Sequence, residues 1–82
     1  DKWVRHGAAK ALGLIGDPKA VDALIPLLKD RYHDVRAHAA WALGELGDPR
    51  AIESITPLLK DEKTDVRKES EKALEKLRSK KV

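Results

Sequence analysis

The side chains able to do chemistry are few, and their spacing does not assemble a catalytic site. His6, His33 and His38 would be metal ligands or general bases, and Ser54, Ser70 and Ser79 would be nucleophiles if a His–Asp pair stood beside one of them. His33 and His38 are five residues apart, about 140° around a helix, so they do not share a face. No Asp or Glu stands with any serine and histidine at a readable spacing. The chain has no Cys, which removes thiol nucleophiles, disulfides, thiolate metal sites and iron–sulfur clusters. Gly13 and Gly16 form half of a helix ending, not a phosphate-cradling loop. The expectation is a protein that is not an enzyme and has neither metal nor cofactor.

What organises the remaining residues is a period of 31. A shift of that length aligns Val4-Arg5 with Val35-Arg36 and Val66-Arg67, and Gly16-Asp17-Pro18 with Gly47-Asp48-Pro49. It also superposes the Pro-Leu-Leu-Lys-Asp run at 26–30 on the same run at 57–61. Between segments 4–30 and 35–61, 16 of 27 positions are identical, which chance does not produce.

Each repeat reads as two helices. Gly47 suits the left-handed position that ends a helix, Asp48 caps the next, and Pro49 fits its first turn; Gly16-Asp17-Pro18 does the same one repeat earlier. Helices are predicted near 3–15, 18–29, 34–46, 49–60 and 65–79. Over 18–29, Val21, Leu24, Ile25 and Leu28 make one apolar stripe. Pro26 and Pro57 lie inside their helices, which predicts a bend on the solvent side. Neither helix of a pair buries its apolar side alone, but stacked hairpins do.

The string Val-Arg-x-x-Ala-Ala-x-Ala-Leu-Gly-x-(Ile/Leu)-Gly-Asp-Pro-(Lys/Arg)-Ala-(Val/Ile), present at 4–21 and again at 35–52, resembles the short HEAT-like repeats of phycobilisome (bilin) lyases and the artificial consensus proteins built from them. The outer helix departs from that pattern: family members often carry Pro near the positions of Ala23 and Ser54, three residues before Pro26 and Pro57. The resemblance implies an all-α fold, a right-handed α-solenoid of about two and a half helical hairpins with five helices. It would form a single domain over 1–82, with an inner helix at 3–15, a repeat at 18–46, and a repeat at 49–79 ending in a polar C-terminal cap. Iron hydroxylases of this repeat class use His-Glu pairs, whereas Gly7, Asp34 and Ala39 follow the three histidines here. Related DNA glycosylases rely on a basic concave face. Here Lys10, Lys68, Lys72 and Lys76 are diluted by Asp34, Glu45, Asp65 and Glu69.

Positions that change between repeats mark a surface. Val35, Ala39, Ala42, Leu43 and Leu46 form the constant stripe of one inner helix, while Asp34, Ala37, His38, Trp41 and Glu45 vary on another face. Their equivalents are Trp3, His6, Gly7, Lys10 and Leu14 before, and Asp65, Lys68, Glu69, Lys72 and Lys76 after. By resemblance this face is concave and holds a partner, so Trp3, His6, Lys10, Leu14, His38, Trp41, Glu45, Lys72 and Lys76 are the candidate binding residues. Trp41 has two readings: an aromatic hot spot, or a ring laid over neighbouring alanines for its area alone. Trp3 and Tyr32 read as packing residues near helix starts. The recurring Arg5, Arg36 and Arg67, with Asp17, Asp48, Asp30 and Asp61, would make either an anion-binding ladder or bonds between repeats; their place in the most constant part of the repeat favours the structural ladder.

Size and charge sharpen the picture. At 82 residues, a core usually needs a staple, and stacking of repeats provides one. Residues 1–59 are charge-balanced, so the net +3 belongs to 60–82, where interleaved acids and bases such as Glu69 and Lys72 read as a solvated helix. The third unit replaces Ala39-Ala40 with Ser70-Glu71, Gly44 with Glu75 and Gly47 with Arg78, which reads as a polar end. At the other end Val4, Ala8, Leu12 and Ile15 lack an outer helix, which points to a fragment of a longer array or to a homodimer through that edge. The absence of Asn and Gln fits a heat-adapted or designed sequence. No run is apolar enough to span a membrane and no leader-like segment opens the chain, so a cytoplasmic location is expected. The function expected is a non-catalytic protein-interaction scaffold. The alternatives are a bilin-lyase-like subunit holding a chromophore or its acceptor protein, and nucleic-acid binding through the basic C-terminal helix.

Overall fold

Helix punctuation and apolar periodicity set the architecture. A computed structural model describes residues 3, 4, 7, 11 and 19–79. Trp3, Val4, Gly7 and Ala11 are helical, and the rest of the inner helix expected over 3–15 lies outside the described residues. Helices α1 (Ala20–Leu24), α2 (His33–Leu46), α3 (Ala51–Ile55) and α4 (Thr64–Ser79) follow, with 3-10 segments Ile25–Lys29 after α1 and Thr56–Lys60 after α3. Among the described residues there is no strand.

The outer helices change ladder at their prolines instead of continuing as bent α-helices. Pro26 and Pro57 have no N–H to give to the carbonyl four residues back, and their rings crowd that carbonyl. The chain therefore tightens into 3-10 geometry, with each proline in the first turn, where a missing donor costs nothing. Both prolines are exposed. Ahead of Pro57 the Thr56 hydroxyl donates to the Ile52 carbonyl at 2.7 Å.

The expected punctuation holds at Gly47, whereas α3 starts at Ala51 with Arg50 at its N-cap and no side-chain cap, so Asp48 and Pro49 lie in the turn before it. Gly47 adopts φ 73° and donates its N–H to the Leu43 carbonyl at 3.2 Å, closing α2. The Asp48 carboxylate accepts the Arg50 N–H at 2.9 Å. At the hairpin bends Asp30 accepts from Tyr32 N–H at 3.0 Å and Asp61 from Lys63 N–H at 2.9 Å, the Asx geometry that replaces a backbone turn bond.

Packing repeats with the sequence. Val35 and Val66, Leu24 and Ile55, and Leu43 and Leu74 are equivalent pairs, all buried in the core. Among the described residues α2 and α4 form the most extensive helix pair, and each outer 3-10 segment covers the inner helix that follows it. The inner helices approach closely at Gly44, where an added Cβ would stand 2.9 Å from both Cα and Cβ of Ala73.

The substitutions of the third unit divide into two groups. Glu71, Glu75 and Arg78 are exposed. Ser70, read from its type as part of the same polar end, is instead fully buried. Helical phase explains it, because Ser70 occupies the Ala39 position and shares a stripe with Val66, Ala73, Leu74 and Leu77. Its Oγ has no hydrogen-bond partner among the described residues.

Two substitutions test this packing by thermal or urea unfolding. Ser70→Ala removes a buried, unsatisfied hydroxyl and should stabilise the chain by about 1 kcal/mol, raising Tm by about 4–8 °C. Gly44→Ala gains about 1 kcal/mol of helix propensity but collides with the Ala73 backbone, and should destabilise by about 1–2 kcal/mol net. Gly7→Ala, where an added Cβ meets nothing within 4 Å, is the control and should not destabilise.

Candidate protein-interaction surface

The 31-residue stagger sets equivalent positions of α2 and α4 side by side. Asp34, His38, Trp41 and Glu45 of α2 therefore face Asp65, Glu69, Lys72 and Lys76 of α4. The register is visible at Glu45 and Lys76, equivalent residues whose carboxylate oxygen and Nζ are 2.6 Å apart. His33 donates through Nδ1 to Asp65 Oδ2 at 2.7 Å, one residue out of that register. The sequence treated His33 only as a metal candidate; its signal was a spacing of one repeat plus one residue. Lys72 lies 4.0 Å from Glu69, the outer limit of an ion pair.

Trp41 stands at the centre of this face. It is half-buried and packs against the hydrophobic core, and its ring meets the His38 imidazole edge-on, with centroids 6.5 Å apart and planes at 62°. His38 Nδ1 is 3.1 Å from the Asp34 carbonyl; a carbonyl only accepts, so Nδ1 carries the proton. Two open grooves flank the indole. One, about 590 Å³, is lined by Trp41, Glu69, Lys72, Ala73, Glu75, Lys76 and Ser79. The other, about 320 Å³, is lined by Asp34, Ala37, His38, Trp41, Asp65 and Glu69.

The candidate residues thus separate. His38, Trp41, Glu45, Lys72 and Lys76 come together on one face, with Asp65 and Glu69, which the sequence placed among the varying positions but not among the candidate binding residues. Ala37, read as a varying position of this face, is 4% exposed and lies in the wall of the smaller groove. Trp3 is 70% exposed, so the packing role read for it is not what the structure shows. Tyr32 is 37% exposed, and the Arg31 guanidinium covers its ring at 5.4 Å; it sits at the N-cap of α2, outside the apolar stripe. His6, Lys10 and Leu14 lie outside the described residues.

The arginine ladder takes a definite form. Arg36 donates through Nε and Nη2 to the two carboxylate oxygens of Asp61 at 3.0 and 3.2 Å, and through Nη1 to the Asp30 carbonyl at 2.8 Å. One side chain thereby holds the bends of two successive hairpins. Arg67 repeats half of this, donating to the Asp61 carbonyl at 2.6 Å and to the Thr64 hydroxyl at 3.1 Å. Asp48 is not a rung: Arg50, two residues along, bonds it through Nε at 2.9 Å. The reason is location, since Asp48 lies in the turn before α3 while Asp30 and Asp61 occupy the bends that Arg36 reaches. Arg5 and Asp17 lie outside the described residues.

The electrostatics match this geometry. Burial opposes ionisation of Asp61, but hydrogen bonds from Arg36 and from Lys63 N–H, with the charges of Arg36 and Arg67, outweigh it and hold its carboxyl below the usual range. The side-chain bond from Arg50, and then its N–H, lowers Asp48 likewise, and the same pair raises Arg50. Among the described residues no group of three His, Asp or Glu side chains is gathered to hold a metal, and no helix is long and apolar enough to cross a membrane.

Scanned against protein families, the sequence matches HEAT repeats over residues 1–80. The chain belongs to the HEAT-repeat family. A search of curated proteins returns no match. HEAT repeats are commonly protein-interaction scaffolds, and in this HEAT-repeat chain the face that varies between repeats is the one that carries Trp41 and both grooves.

Two measurements test the Arg36 clamp. The Arg36 and Asp61 side chains are 13% and 10% exposed, so Arg36→Ala leaves a partly desolvated carboxylate and should cost about 2–3 kcal/mol in urea unfolding. Asp61 binds its proton more weakly when folded than when unfolded. Its contribution is therefore complete above an unfolded value of about 3.9 and is lost as pH falls through the lower folded value. Below about pH 4 the native chain should lose stability more steeply than Asp61→Asn, which starts from a lower plateau.

Proposed function

We propose that the chain is a non-catalytic protein-binding module whose partner seats on the α2–α4 face, with Trp41 as the anchor. The observation that carries this reading is the position of Trp41: one half-buried indole, fixed against His38, forms a wall of both grooves. A rigid aromatic ring set among small and charged side chains is the usual composition of a hot spot. The charge pattern favours a protein over a nucleic acid. Lys76 is bonded to Glu45 and Lys72 faces Glu69, whereas phosphate affinity grows with unopposed cations.

Selection of binders from a displayed peptide library on the immobilised chain tests this. Selected peptides should bind Trp41→Ala about 30-fold more weakly, the effect of about 2 kcal/mol, and should bind Glu53→Ala, an exposed change on α3, as they bind the native chain. Circular dichroism checks that Trp41→Ala remains helical. Binders indifferent to Trp41→Ala but weakened by Glu53→Ala would place the binding face elsewhere.

A further inference from the structure

We propose that the smaller groove receives an arginine side chain from the partner polypeptide, its guanidinium lying on the Trp41 ring among the carboxylates of Asp34, Asp65 and Glu69. The proposal rests on the α2–α4 face being the binding face and names the chemistry of its occupant. Among the described residues the groove lining carries three carboxylates and no lysine or arginine. The neighbouring groove, across the same indole, holds Lys72 and Lys76 with Glu69 and Glu75. Trp41 therefore divides an acidic end of the face from a mixed one, and a cation entering the face is drawn to the acidic end.

The acidic walls are held in place, which favours recognition over adaptation. Asp34 Oδ1 accepts the Val35 N–H at 3.1 Å and Asp65 Oδ1 the Val66 N–H at 2.9 Å. These bonds serve the first turns of α2 and α4, and they also fix where the carboxylates stand. His33 Nδ1 lies 2.7 Å from Asp65 Oδ2, and Lys72 lies 4.0 Å from Glu69. The indole is steadied by His38, itself held by the Asp34 carbonyl.

Arginine fits this arrangement better than lysine. Its planar, weakly hydrated guanidinium stacks on an aromatic face and presents donors in several directions, so it can lie on the indole and reach carboxylates from both helices. A volume of about 320 Å³ is at the small end of ligand sites and has room for one long side chain. The two grooves share Trp41 and Glu69, so the remainder of an extended segment has a path into the larger one.

The test is NMR titration of the full chain with the acetylated, amidated peptide Gly-Arg-Gly, against its citrulline counterpart, which keeps the shape and loses the charge. The arginine peptide should shift the Trp41 indole N–H and the backbone amides of Asp34, Asp65 and Glu69, leaving the Trp3 indole unmoved. Affinity should fall at least about threefold in Glu69→Gln, the loss of one exposed charge contact, and should fall with added salt. Equal shifts with citrulline, or indifference to Glu69→Gln, overturn the assignment of a cation while leaving Trp41 as the anchor. No shift at Trp41 up to about 10 mM peptide, a ceiling weaker than 3 kcal/mol, overturns the assignment outright. The binding-face reading falls separately, only if library-selected binders ignore Trp41→Ala.

Discussion

The arrangement depends on one guanidinium that reaches two bends. Arg36 has a fixed fork of donors, and it spends them on the Asp30 carbonyl of its own hairpin and the Asp61 carboxylate of the next. With those bends joined, the start of α2 is fixed relative to the start of α4. The rest of the inner-helix pair follows from that origin: Gly44 comes to lie against Ala73, and Glu45 meets Lys76. Hydrophobic burial supplies most of the driving force in such a stack, but burial is non-directional. The register comes from the polar contact and from the narrow clearance at Gly44.

Much of this was legible in the sequence because the relevant signals are local. Gly47-Asp48-Pro49 marks a helix boundary by backbone geometry that belongs to those residues alone, and the stripe of Val35, Ala39, Ala42 and Leu43 is read from spacing. Other features need three dimensions. A proline inside a helix shows that an α-type bond is lost, not that the chain will continue with 3-10 bonds, as it does at Pro26 and Pro57. Ser70 looks like part of a polar end by type, and only its helical phase, combined with the position of the neighbouring helix, places it in the core. Several aspartates recur with the same period, so periodicity alone does not tell which of them Arg36 reaches; the hairpin bend selects Asp61 over Asp48.

The candidate site was half legible for a related reason. Variation between repeats identified the face and drew attention to Trp41. It did not reveal that the indole would be half-buried against the core and still form a wall of two grooves, a position that joins the two readings of this residue. An anchor that leans on the core is fixed before a partner arrives, which lowers the entropic cost of binding. The face around it is sorted, with acids alone toward the helix starts, where Asp34 and Asp65 also favour the α2 and α4 dipoles, and acids mixed with lysines toward their ends.

The two kinds of ionic contact between repeats have different consequences for inheritance. Arg36 and Asp61 occupy different places within the period, so a unit duplicated letter for letter would carry its own copy of the bond. Glu45 and Lys76 occupy the same place in successive units. Verbatim duplication would set glutamate against glutamate there, a repulsion in place of an attraction. The clamp can therefore be inherited through any number of identical copies, while the face column gains its pairing only once the copies have diverged.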